Sequence, residues 1–385
     1  MLTGLFGGNK PMLFADFNIS DEYNIVFVAK GYKTLCFIDD KLVTYKYGNI
    51  FLMDLYDFSK EFICNLCLDK STLFFSKNRL LTRLLRLEPR GVAKRDNNSI
   101  LFSLKGYIYH LNIATKESKA IHKFRNNMSA LVYLTTIEDL GGFTVKHCYS
   151  EYFTNNEKNE ISIYGCYGDL SDWREIYRFE KGQINHIHSI IPDPYQKKVW
   201  IFTGDFGDAA GIWYTDDDFR TVNRYLFGNQ QYRARVGMPT EDGLIYATDT
   251  PMETNSIYIV SKDKEIKKLF ELEGPSLYGA KYQNKYIFST VVECDPNEKW
   301  GKTDIISYKR GKGIKSWYSH LVIGNLEEGF KTIAKFKKDI FPMGLFQFGT
   351  ITFPQGKNLT NKIILYGNSL KNIDGKMIIM ERKTI

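Results

Sequence analysis

Proline and cysteine are scarce in this chain of 385 residues, at 10 and 6, and no long apolar run occurs. A membrane-spanning helix needs roughly 18 consecutive apolar residues, so no span is expected. The cysteines (Cys36, Cys64, Cys67, Cys148, Cys166 and Cys294) are too dispersed for a disulfide scaffold. Cys64 and Cys67 have the spacing of a redox or metal pair, but Phe62-Ile63-Cys64-Asn65-Leu66-Cys67-Leu68 reads as a strand. Residues three apart on a strand point to opposite faces, so two independent thiols are expected. The first residues, Met1-Leu2-Thr3-Gly4-Leu5-Phe6, lack the basic and apolar regions of a secretory signal. A soluble, cytoplasmic protein is the expectation. Lys and Arg number 52 against 44 Asp and Glu, a net charge of +8 that favours acidic partners. The basic residues are spread along the chain, which argues against a nucleic-acid-binding face.

Aromatics are plentiful instead, with 25 Tyr and 27 Phe. Such residues suit the half-buried surface of a pleated sheet. One pattern recurs: an apolar strand, a tight turn, a second strand with an Ile-Tyr or Ile-Phe step, and a Lys-rich outer strand. It is visible at Asn49–Leu55 with Lys60–Ile63, at Tyr107–Asn112 with Ser118–Ile121, and at Ser256–Val260 with Glu265–Phe270. A repeat of about 45–50 residues is what four-stranded propeller blades produce.

The expected fold is therefore an all-β, single closed β-propeller of four-stranded antiparallel blades. Seven blades is the favoured count and six the alternative. Blades are placed at 32–70, 90–128, 129–182, 183–229, 230–275, 276–326 and 339–385. The last shows only three strands, Met343–Phe353, Lys362–Tyr366 and Lys376–Met380, so the amino-terminal strand Tyr23–Ala29 is expected to complete it. Leucines and arginines at helical spacing near 78–88, ended by Pro89, predict a short amphipathic helix packed on the propeller.

Polar groups concentrate between His186 and Asp249. His186 and His188 are two apart on a predicted inner strand and share a face, where they could act as acid and base or hold a divalent metal. Asp205 and Asp208 follow the next strand, and Asp249 occupies the equivalent strand end one blade later. Gln231, Tyr232 and Arg233 begin the following inner strand, and Arg90 and Arg95 lie on another. His186, His188, Tyr232, Asp205 and Asp249 are the candidate catalytic residues. Arg233, Gln231, Asp208 and Arg95 are the candidate substrate contacts, arginine offering a planar fork for a carboxylate or phosphate.

Tyr214-Thr215-Asp216-Asp217-Asp218-Phe219-Arg220-Thr221-Val222 resembles the Asp-box, or BNR repeat, of sialidase-type propellers. Thr215, Asp217 and Thr221 match its pattern, while Phe219 and Val222 replace its Gly and Trp. Gly168-Asp169-Leu170-Ser171-Asp172-Trp173 is a more decayed copy. The wider pattern resembles BNR-type propellers of bacterial surface-polysaccharide loci. The resemblance implies a structural role for the box, remote from the active face, and glycan-related work for the protein. A sialidase is not expected, because the arginine triad and Tyr/Glu nucleophile are missing in recognisable form. The combined expectation is an enzyme acting on an anionic oligosaccharide or polysaccharide, by β-elimination, which the histidine-rich site favours, or by glycoside hydrolysis. The rival expectation is a non-catalytic glycan-binding or assembly scaffold.

Overall fold

The computed structural model describes residues 17–126, 128, 133–137, 140–296 and 309–383. Its strands form seven antiparallel sheets arranged as the blades of a propeller. From inner to outer strand, blade 1 is Lys33–Ile38, Lys41–Lys46, Asn49–Asp54 and Lys60–Asn65. Blade 2 is Arg90–Asp96, Ser99–Leu104, Tyr107–Asn112 and Glu117–Lys123; blade 3 is Leu134–Thr136, His147–Ser150, Ile161–Cys166 and Arg174–Phe179. Blade 4 is His186–Asp193, Lys198–Gly204, Gly211–Thr215 and Asn223–Phe227; blade 5 is Ala234–Pro239, Gly243–Thr248, Asn255–Ser261 and Ile266–Leu272. Blade 6 is Ser276–Tyr282, Lys285–Thr290, Tyr318–Asn325 and Gly329–Lys337.

Blade 7 joins the two ends of the chain. Its strands are Thr350–Thr352, Lys362–Asn368 and Lys376–Arg382, and Tyr23–Lys30 adds the outermost, with Tyr23 opposite Arg382 and Lys30 opposite Lys376. Phe17–Ile19 goes further and adds a fifth strand to blade 6, beside Gly329–Lys337. The amino-terminal segment thus clasps two blades.

Blades pack face to face, so their second strands are covered on both sides and read as apolar runs. Ser99–Leu104 and Gly243–Thr248 are buried at every residue. The core clusters cross from blade to blade: Val43 and Ile50 of blade 1 pack with Ile100 and Phe102 of blade 2. Outer strands are mostly exposed or half-buried. Cys64 is buried and Cys67 exposed, and neither is disulfide-bonded.

Two local expectations are corrected. The single helix near 78–88 is a pair, α1 (Lys70–Ser76) and α2 (Arg79–Leu84), capped by the side chains of Asp69 and Asn78. Its leucines are not the packed face. Leu80, Leu84 and Leu85 are exposed, whereas Arg83 is 1% exposed. Arg83 pairs with Asp339 at 2.6 Å and Asp374 at 3.2 Å, and Arg79 reaches Asp374 and Glu88, both at 2.8 Å. Carboxylates near blade 7 therefore decide which side of α2 faces inward. The second correction lies in Met343–Phe353, where Met343–Phe346 forms a helical turn, α3, behind Pro342, and only Thr350–Thr352 pairs as a strand. The fourth strand of blade 6, Gly329–Lys337, fills the stretch left between the expected last blades.

Candidate functional site

Every inner strand begins at the same end of the channel, and every second strand ends there. The loops at this mouth carry the polar residues. Carboxylates follow the second strand in four consecutive blades: Glu151 after His147–Ser150, Asp205 after Lys198–Gly204, Asp249 after Gly243–Thr248, and Glu293 three residues beyond Lys285–Thr290. Glu151 is paired with Arg125. The other three belong to one electrostatic cluster.

Asp205 is its centre. Oδ2 lies 3.0 Å from His186 Nδ1, and Oδ1 lies 3.5 Å from His188 Nε2 and 3.4 Å from Arg233 Nη2. Its carbonyl accepts from Gln230 Nε2 at 2.9 Å and Arg233 Nη1 at 3.2 Å. Burial opposes charge on Asp205, but the bonds to His186 and His188 and the Arg233 charge outweigh it, holding the carboxyl well below its usual range. Asp249 has the opposite fate. Burial pushes its carboxyl up despite the nearby Arg233, His188 and Arg235. Glu293, whose Oε1 is shielded and has no hydrogen-bond partner among the described residues, is pushed up to about 8 by burial and by the Asp249 charge. Within one cluster, the surroundings thus favour the charged form of Asp205 and disfavour the charged forms of Asp249 and Glu293.

His188 stands between them, with Nε2 toward Asp205 and Nδ1 3.7 Å from Asp249 Oδ2 and 3.1 Å from the Ala234 carbonyl. Its position depends on Gly204, where an added Cβ would lie 2.3 Å from the imidazole. A β-bulge between Ile187 and Ser189 alters the simple alternation of the strand, yet both histidines still reach Asp205. His186 is stacked on Tyr152 at 4.9 Å, and its Nε2 meets the Phe153 carbonyl at 2.7 Å.

Both nitrogens of each ring therefore already face oxygen atoms. Among the described residues no three His, Cys, Asp or Glu side chains gather as a metal-ligand set.

His186, His188, Asp205, Arg233 and Asp249 come together. Four other expected residues do not. Tyr232 packs with Trp200, Phe202 and Tyr246 between blades 4 and 5, because the 3₁₀ turn Gln230–Tyr232 turns it into that core. Gln231 is engaged with Tyr246, and its neighbour Gln230 reaches Asp205 instead. Asp208 is exposed on the turn Gly207–Ala209. Arg95 lies near the far end of Arg90–Asp96, with Nη1 3.2 Å from His110 Nε2, away from the mouth. Sequence reasoning missed Glu293, Gln230, Tyr152 and Arg235. A carboxylate just beyond the second strand of successive blades is the signal that could have found Glu293.

The box-like segment forms a hydrogen-bonded hairpin between the outer strands of blade 4, at the opposite end of the blade. Asp217 accepts from Thr215 Oγ1 at 3.0 Å, Thr221 N at 3.0 Å and Thr221 Oγ1 at 2.8 Å. Phe219 takes a left-handed backbone, φ 65°, yet is 1% exposed, its ring edge-on to Phe143.

No protein-family model matches the chain, and no curated protein matches it in sequence. Solved structures share its fold. An oligogalacturonate lyase from Vibrio parahaemolyticus is 11% identical, covers 95% of this chain and 97% of its own, and aligns with a TM-score of 0.54. The propeller domain of Myceliophteria thermophila Cps50 (Swd1) is 9% identical over 94% of this chain and 100% of its own, TM-score 0.53. YCF48 bound to D1 peptide is 10% identical over 96% and 98%, TM-score 0.53. The chain is a seven-bladed β-propeller with a buried histidine–carboxylate cluster at one channel mouth.

Proposed function

We propose that the protein cleaves an anionic glycan at this mouth, with hydrolysis the form of cleavage that suits the site best. The observation carrying the reading is the divergence of neighbouring carboxyls: Asp205 held ionised, Asp249 and Glu293 held toward the protonated form. Groups whose surroundings drive their proton affinities apart supply an acid and a base within one site. In hydrolysis, Asp249 or Glu293 gives a proton to the leaving oxygen, while Asp205 activates water or attacks the anomeric carbon. His188, between the two carboxyls, orients both.

Elimination from a uronate is the competing route. There a base removes the proton beside the carboxylate, the C–H electron pair becomes the new double bond, and the departing oxygen takes a proton from the acid. Among neighbours of the same fold, one is named an oligogalacturonate lyase and another is described with a bound peptide. Fold alone does not assign activity.

Incubation with uronate-containing and neutral polysaccharides tests the reading. Release of reducing ends without ultraviolet absorbance from an unsaturated product is the expected result. Absorbance with cleavage would move the assignment to elimination. Binding without either product, across a broad glycan panel with and without divalent metals, would make the protein a non-catalytic glycan-binding module. Neither binding nor product would end the glycan reading.

A further inference from the structure

Beside the cluster, the channel holds a cavity of about 350 Å³, reached by inner-strand residues of blades 1, 2, 3, 5, 6 and 7. Lys33, Arg86, Arg90 and Arg235 line it, together with tyrosines, and among the described residues no aspartate or glutamate does. Lys33 is 3.5 Å from Glu88, outside the lining. Among the described residues Arg86 and Arg90 hydrogen-bond only neutral groups, while Arg235 also lies in the field of Asp249. Arg86 donates to the Arg83 carbonyl at 3.3 Å and the Gly344 carbonyl at 3.5 Å, and Arg90 donates to Gln347 Oε1 at 3.4 Å. Arg235 lies 5.7 Å and 5.2 Å from the ring centres of Tyr133 and Tyr278, and its Nε is buried with no hydrogen-bond partner among the described residues.

Like charges gathered in a partly buried cavity repel one another and lose hydration. Burial, with Arg90 and Arg83 nearby, pushes the Arg86 guanidinium down to about 10. An anion in the cavity would offset both penalties at Arg86. Arg233, the residue first expected to hold a sugar carboxylate, is already committed to Asp205.

We infer that this cavity is an oxyanion site, where Arg86, Arg90 and Arg235 bind the carboxylate or phosphate of a small ligand. Tyr133, Tyr152 and Tyr278 offer ring faces for the rest of the ligand. Tyr152 and Arg235 join the cavity to the cluster, through the His186 stack and the Asp249 charge. An anion held here is thus placed beside the carboxyls proposed to cleave a glycan. The volume is near the small end of ligand pockets, about 300–1,000 Å³, so a short acidic saccharide or a chain end fits better than the middle of a polymer. The sugar part rests on the proposed function; the anion site does not.

Isothermal titration of the full chain with sodium glucuronate, a glucuronate-containing disaccharide, inorganic phosphate and glucose tests it, using wild type, Arg90→Gln and Arg235→Gln. Glucuronate or phosphate should bind wild type, glucose should not, and each variant should lose about tenfold or more in affinity. No anion binding at millimolar concentration overturns the site. So does unchanged anion affinity in variants that retain the wild-type circular dichroism spectrum. If neither variant folds, competition on wild type decides: glucuronate and phosphate excluding one another supports one shared site, and independent binding overturns it. Phosphate binding that the variants lose, with no saccharide bound, keeps the anion site and removes the glycan reading. Disaccharide bound equally by wild type and both variants keeps the glycan reading and overturns the anion site.

Discussion

Asp205 and Arg233 hold one another by two contacts: Nη2 lies 3.4 Å from the carboxylate, and Nη1 donates to the Asp205 carbonyl at 3.2 Å. The pair ties the end of the second strand of blade 4 to the start of the inner strand of blade 5. Asp205→Asn should lower stability by about 1.5–3 kcal/mol, the scale of hydrogen bonds to a charged group. The Asp205 carboxyl is depressed, so its stabilisation is present above the ordinary carboxylate range and lost as pH falls through the folded value. Urea denaturation should show the Asn variant differing most from wild type near neutrality and converging with it in acid.

Glu293 should have the opposite pH signature. Its carboxyl is raised to about 8, so the folded form binds more protons than the unfolded one between the ordinary glutamate value and about 8. Stability from this group is full below that window and lost as pH rises through it. Glu293→Gln keeps the neutral shape without a titration. Its melting temperature should match wild type in acid and exceed it above about pH 8. If Glu293 is the acid, the same variant should bind substrate and lose turnover.

Gly204→Ala should act on His188 rather than on Asp205 directly, because the new methyl would meet the imidazole. Overpacking of this kind typically costs about 1–3 kcal/mol. Glycan cleavage should fall while anion binding in the neighbouring cavity persists. Equal loss of both would show that the substitution disturbs the whole mouth.

Asp217→Ala should lower stability by about 0.5–2 kcal/mol through the lost turn bonds. The hairpin is at the opposite end of blade 4, so ligand affinity should be unchanged. A fully stable variant that loses affinity would contradict the structural role.

Removing residues through Lys30 should expose Lys376–Arg382 as an unprotected edge and strip Phe17–Ile19 from blade 6. Most of the stability should be lost, visible as a strongly lowered or absent melting transition. A truncated chain that melts like the full one would show that ring closure contributes little.

The sequence alone determined the blade repeat, because strand side chains alternate and second strands covered on both faces must be apolar. The strand deficit near the carboxy terminus likewise exposed the need for Tyr23–Lys30. Local pattern also brought His186, His188, Asp205 and Asp249 to one mouth, since equivalent strand ends converge around an axis. It could not set side-chain partners across blades. Tyr232 turned into the core because of a short 3₁₀ turn, Arg83 became buried because Asp339 and Asp374 approach it from distant segments, and Arg233 was claimed by Asp205. The split in proton affinity among Asp205, Asp249 and Glu293, and the cavity lined by Arg86, Arg90 and Arg235, also belong to tertiary structure. Both arise from burial and from charges far apart in the chain, which no local spacing encodes.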